Sequence, residues 1–152
     1  MAKDVAAADR KRWLSLLAKA EDSHLERLWT ATGLSPSFRW LRSPQSGTVM
    51  VRGRAGATGA PFNLGEMTVT RSALRLETGE IGHGYVSGRS KRKSEIAALC
   101  DALLQVADSR AEKVDTGVIS PLEQAASAAV HMRAEKAAAT KVEFFTLERG
   151  AE

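Results

Sequence analysis

A chain of 152 residues, 43% hydrophobic and 26% charged, fits one domain over residues 1–152, large enough to bury roughly two-thirds of its unfolded surface. Its net charge of +4 favours acidic partners but falls well short of a nucleic-acid polycation. No apolar run reaches the roughly 18 residues of a membrane span, the start MAKDVAAADRKRW has no apolar signal core, and one cysteine, Cys100, excludes an internal disulfide, a redox pair and a thiolate cluster, so a cytoplasmic protein without membrane contact is expected.

In chain order, Trp13, Leu14, Leu16 and Leu17 predict a helix over residues 9–20. Ser23-His24-Leu25-Glu26 has the S-x-x-E form of a capping box, opening a second helix whose Leu25, Leu28, Trp29 and Thr32 share one face. Gly33 is placed to end it in a left-handed conformation, completing a helical hairpin. After Pro36 the period changes to two, predicting strands over residues 37–42 and 47–55 with a turn at 44–47. Residues 56–61 form the next turn, 62–77 one long strand or two broken near Gly65, and Thr78-Gly79 reverses the chain into a strand over 81–86.

Residues 94–107 then read as an amphipathic helix with a stripe of Ile96, Leu99, Cys100, Leu103, Leu104 and Ala107, packed on the sheet. A polar loop over 111–119 leads to Ser120-Pro121-Leu122-Glu123, where serine as N-cap, proline at the first position and glutamate at the third open another helix. That helix reaches about residue 140, and its alanines let a neighbouring backbone approach closely while burying little area. Residues 141–147 close the chain as a strand apolar on both faces at Phe144 and Phe145. The expected class is α+β: an N-terminal helical hairpin, a mostly antiparallel sheet of four to five strands, two further helices and a C-terminal strand.

Candidate chemistry is sparse. His24, His83 and His131 lie on different predicted elements without the i, i+4 spacing of a helical metal pair, so no metal is expected. There is no GxSxG elbow, and Cys100 reads as a buried helix residue. Gly53, Gly56 and Gly59, and again Gly82, Gly84 and Gly88, lack the GK[ST] ending of a phosphate loop and read as turns and bulges. Ser90-Lys91-Arg92-Lys93 places cations at a helix entrance, where the dipole is positive; this is either a phosphate cradle fed by Gly88-Arg89 or a solvated basic face. Arg52 and Arg54 share one side of a strand, and Arg71 and Arg75 one side of another. If those sides coincide they form a guanidinium patch for phosphate or carboxylate; otherwise they are dispersed surface arginines.

Arg12-Trp13, VRGRAGATGAPF at residues 51–62, TVTRSALRL at 68–76, residues 82–89, the helix at 95–105 and KVEFFTLERG at 141–150 together make the chain resemble PhnG, the small subunit of the bacterial carbon-phosphorus lyase system. The resemblance implies a place in a core complex with PhnH-, PhnI- and PhnJ-type subunits, which degrades phosphonates when phosphate is scarce. It also implies the reaction: phosphonate displaces adenine from ATP, giving ribose 1-phosphonate 5-triphosphate. The nucleosidase-like centre belongs in that family to PhnI, and the later radical cleavage to PhnJ with its iron-sulfur cluster and S-adenosylmethionine.

This chain is therefore expected to be an accessory subunit without a catalytic residue of its own, inactive alone and binding no cofactor by itself, with ATP and phosphonate as substrates of the complex. The family supplies no residue roles for this subunit. Arg54, Arg71 and Arg89, which lie in the matching motifs, and Lys91 are the expected anion or partner contacts. Two rivals remain: a small basic nucleic-acid-binding domain, which predicts binding that falls steeply with salt but has only 5% aromatic residues for stacking on bases; and a self-sufficient phosphotransferase or nucleosidase, which would turn over ATP alone.

Overall fold

The computed structural model describes residues 7–56, 58–106 and 108–141. Helix α1 (Ala7–Lys19) turns at Ala20 into α2 (Asp22–Ala31), and Gly33, at φ 65°, ends the pair as expected. The α2 entrance differs from the capping box. Glu21 is the N-cap and its carboxylate accepts the backbone N–H groups of Ser23 and His24 and the Ser23 hydroxyl; a longer acceptor two residues earlier wins because it satisfies three donors at once.

The sheet is an antiparallel meander of β1 (Phe38–Arg54), β2 (Pro61–Leu76) and β3 (Ile81–Ser87), in that spatial order. Three strands are present among the described residues, fewer than the four to five expected, because the sequence around Pro44 does not turn. It runs on as one strand with register irregularities between Trp40 and Arg42 and between Arg42 and Gln45. β1 is an edge strand, where a proline without an N–H is tolerated at an irregularity. The long reading of β2 holds, with a further register shift where Val51 faces Gly65 but Arg52 faces Asn63. Gly79, at φ 107°, supplies the reversal into β3. The expected strand over 141–147 lies outside the described residues.

The inner face of β2, Thr70, Ser72, Leu74 and Leu76, is buried against α3 (Lys91–Leu103). α3 begins three residues earlier than the spacing predicted, and Ser90 caps it by accepting the Lys93 N–H at 3.1 Å. It is more than amphipathic: Lys93, Ser94 and every residue from Ile96 to Leu103 are buried, since the sheet covers one side and α1 and α2 the other. Gly82 and Gly84 make this possible. A Cβ at Gly82 would sit 1.9 Å from the Ala98 carbonyl oxygen, and one at Gly84 2.1 Å from that of Ser94. These two glycines are sites of strand–helix approach, not the turns or bulges expected. Ser72 Oγ donates to the Ser94 carbonyl at 3.0 Å, satisfying the polar atoms such packing buries.

One core joins Trp13, Leu17, Leu25 and Trp29 of the hairpin to Leu74, Val86, Ile96, Leu103, Val118 and Ile119, each large apolar side chain contributing about 1.5–3 kcal/mol by leaving water. The expected loop at 111–119 is helical: α4 (Ser109–Val114) passes through a π-helical turn (Asp115–Ile119) directly into α5 (Ser120–Ala139). Ser120 is inside the helix, not its cap, and its N–H reaches the Asp115 carbonyl. The wide turn immediately precedes Pro121, whose missing N–H and ring a regular α-turn would not accommodate. Glu123 pairs with Arg12 at 2.7 Å.

Asp101 ties the layers together. Its fully buried carboxylate accepts Arg10 Nη2 at 2.7 Å, Arg10 Nε at 3.0 Å, Trp13 Nε1 at 2.9 Å and the His83 backbone N–H at 2.9 Å, linking α1, α3 and β3. The bond to Asp101 holds the Arg10 guanidinium above its ordinary pKa.

Candidate functional site

Residues paired across an antiparallel sheet share a face, so the register defines what the outer face of the sheet carries. Arg39 lies opposite Arg75, which lies opposite Ile81; Arg42 opposite Ala73, opposite His83; and Gln45 opposite Arg71, opposite Tyr85. The outer face of the sheet's root therefore displays four guanidiniums, an imidazole and a phenol. Arg39 and Arg42, three apart, would alternate in a regular strand. The irregularities in β1 return both to one face.

No described residue forms an ion pair with Arg39, Arg42, Arg71 or Arg75. Arg39 directly facing Arg75 is a like-charge pair, unfavourable within the chain, and Arg75 Nε is buried with no hydrogen-bond partner. Within the face, Arg42, Arg71, His83 and Tyr85 line a depression of about 270 Å³. His83 and Tyr85 also line a groove of about 520 Å³ between α1 and β3, walled by Leu14 and Ala18.

Beyond the Val69–Ser87 pair, β3 ends and β1 and β2 continue as a two-stranded ribbon, about 25 Å long at the rise of a strand. Its outer side, continuous with the arginine face, carries Val49, Val51 and Met67, and Leu64 and Phe62 gather at Gly53. Phe62, Leu64 and Met67 are 45%, 66% and 44% exposed. A two-stranded ribbon is marginal in water by itself, and an apolar one invites a partner. α5 is likewise exposed from Glu123 onward.

The expected site residues are only partly united. Arg71 lies in the basic face, with Arg75. Arg54, with Arg52, alternates onto the opposite side of β1 from Val51 and Gly53, at the far end of the ribbon, about 33 Å of strand from Arg71; the two arginine pairs do not form one patch. Arg89 and Lys91 are exposed at the α3 entrance. That entrance is not left unanswered. Arg92 pairs with Glu26 at 3.4 Å and with Glu95, and Lys93, 4% exposed, reaches Asp22 at 3.2 Å and donates to the Ser87 carbonyl at 3.3 Å, so α2 answers two of the run's three cations. Sequence reasoning missed Arg39, Arg42 and the pairing of His83 with Tyr85; the only signal was arginine density in the first strand.

Cys100 is fully buried and burial pushes its thiol up, the opposite of an activated nucleophile. Among the described residues no three His, Cys, Asp or Glu side chains gather as a metal set, and no helix is long and apolar enough to cross a membrane.

Fold and site together define a small α+β protein with a basic sheet face and an apolar ribbon that nothing in the described chain covers. The chain belongs to the PhnG family of phosphonate metabolism proteins, whose family model matches residues 8–150. It is 43% identical over 149 residues, covering 97% of this chain and 93% of the relative, to the alpha-D-ribose 1-methylphosphonate 5-triphosphate synthase subunit PhnG of Rhizobium meliloti (strain 1021).

Proposed function

We propose that this chain is an accessory subunit of a cytoplasmic synthase that uses ATP and an organic phosphonate, and that it works only when assembled. In that reaction a phosphonate oxygen bonds to the ribose C1′ of ATP as the bond to adenine breaks, leaving ribose 1-phosphonate 5-triphosphate and free adenine. The observation that carries the reading is the uncovered apolar ribbon of β1 and β2, contiguous with a basic face, in a chain 43% identical to a protein named as a subunit of such a synthase. The chemistry then belongs to partner subunits of PhnI, PhnH and PhnJ type, and residues 1–152 act as one scaffolding domain that itself holds no cofactor.

Co-expression with the neighbouring subunits tests this. The expected result is a copurifying assembly that releases adenine from ATP only when phosphonate is present, while the purified chain releases none. A lone chain that turns over ATP refutes the accessory role.

A further inference from the structure

The basic depression and the groove beside it share two residues, and their combination suits one class of ligand. We infer that the outer sheet face of this chain is a binding site for a nucleoside polyphosphate, its phosphates on Arg42, Arg71 and Arg75 and its organic part in the groove beside Tyr85. The inference deepens the function proposed above and rests on it only for which polyphosphate is physiological.

Charge supports the phosphate half. Arg42, Arg71, Arg39 and Arg75 have no ion pair among the described residues, and Arg39 faces Arg75 directly. A guanidinium fork binds phosphate oxygens through paired N–H groups, and a polyanion between Arg39 and Arg75 converts their repulsion into attraction to a common partner. Arg75 Nε has no hydrogen-bond partner among the described residues, which leaves its guanidinium uncommitted. From Arg71 to Arg75 is about 13 Å along the strand, more than one phosphate group bridges, so the row suits an extended oligophosphate better than orthophosphate.

Shape supports the other half. The groove of about 520 Å³ falls within the range of about 300–1,000 Å³ usual for small-molecule sites. Leu14 and Ala18 offer apolar wall, and Tyr85, 48% exposed, offers a ring at the junction with the depression. Arg10 and Lys11 also line the groove; Arg10 is committed to Asp101, Leu14 and Ala18 keep the wall apolar, and the arginine face adjoins the Tyr85 end. A planar base with a phosphate tail matches that polarity.

The test is equilibrium binding of ATP, inorganic triphosphate and adenosine to the full chain, repeated on the copurified assembly. ATP is expected to bind saturably, with triphosphate weaker and adenosine weakest. Arg42→Ala/Arg71→Ala should weaken ATP at least tenfold, whereas the charge-matched control Arg27→Ala/Lys113→Ala should not, with melting curves showing all variants folded. Tyr85→Ala should weaken ATP and leave triphosphate unchanged. Unaltered ATP binding by the Arg42/Arg71 variant, or ATP binding by neither preparation, overturns the site. Equal affinity for ATP and triphosphate overturns the role of the groove, and binding of polyglutamate without ATP marks an acidic-peptide surface and overturns the proposal. Assembly and site fail separately: a wild-type chain that binds ATP but never copurifies with its neighbours contradicts the subunit reading alone.

Discussion

Replacing Asp101 of α3 by alanine removes an acceptor that four donor contacts from two other elements, α1 and β3, share. The carboxylate is fully buried and the Arg10 side chain is 34% exposed. Breaking a buried ion pair by removing one partner costs about 3–5 kcal/mol, and each neutral donor left buried without a partner adds about 1–3 kcal/mol. Arg10 can turn partly to water, which offsets some of this, so the expected loss lies at the lower end, about 3 kcal/mol. For a domain of this size that lowers the melting temperature by roughly 6–12 °C. Urea unfolding followed by circular dichroism measures it, with the dependence on urea unchanged. A loss under about 1 kcal/mol would refute the view that this carboxylate clamps α1, α3 and β3.

Three further outcomes follow from the packing. Gly82→Ala drives a methyl group into the Ala98 carbonyl, and should cost roughly 1–3 kcal/mol or more of stability by denaturant titration; a neutral effect would mean β3 and α3 do not abut. The Cys100 thiol, buried and held protonated, should react with a thiol reagent at neutral pH only after unfolding, so fast native labelling would contradict its place in the core. Glu21 has its carboxyl pKa lowered by the Ser23 hydroxyl and by the N–H groups of Ser23 and His24. A lowered folded value gives stability present above the unfolded pKa and lost as pH falls through the folded one. Glu21→Gln should therefore destabilise at neutral pH, with the gap to wild type closing below the ordinary value of 4.5; a gap unchanged at pH 3 would show the charge to be irrelevant.

Local rules located most elements because they act within a few residues: the helical hairpin and its Gly33 end, the long strand ending at Leu76, the reversal at Gly79, and a buried helix holding Cys100 were all legible. Errors arose where a distant partner decided the outcome. Pro44 reads as a turn until β1 is known to be an edge strand that can absorb it, and Ser120-Pro121 reads as a helix start unless the preceding π-turn is known to accommodate the proline. Gly82 and Gly84 resemble loop glycines because the helix residues they press against, Ala98 and Ser94, come later in the chain. The basic face was legible only as arginine density, since β1 irregularities bring Arg39 and Arg42 together and the β1–β2 register puts Arg54 on the other side from Arg71. The charges of Arg92 and Lys93 are answered from α2, about seventy residues earlier.

The central claim is that this chain works by being held against other subunits along the apolar ribbon. Its most direct measurement is copurification of the Leu64→Ser/Met67→Ser variant with the neighbouring subunits, beside wild type, together with phosphonate-dependent adenine release. Both side chains are exposed, so the variant should melt as wild type does. It should nevertheless fail to enter the assembly, and adenine release should fall with it. A variant that copurifies in full and supports wild-type release would contradict the account.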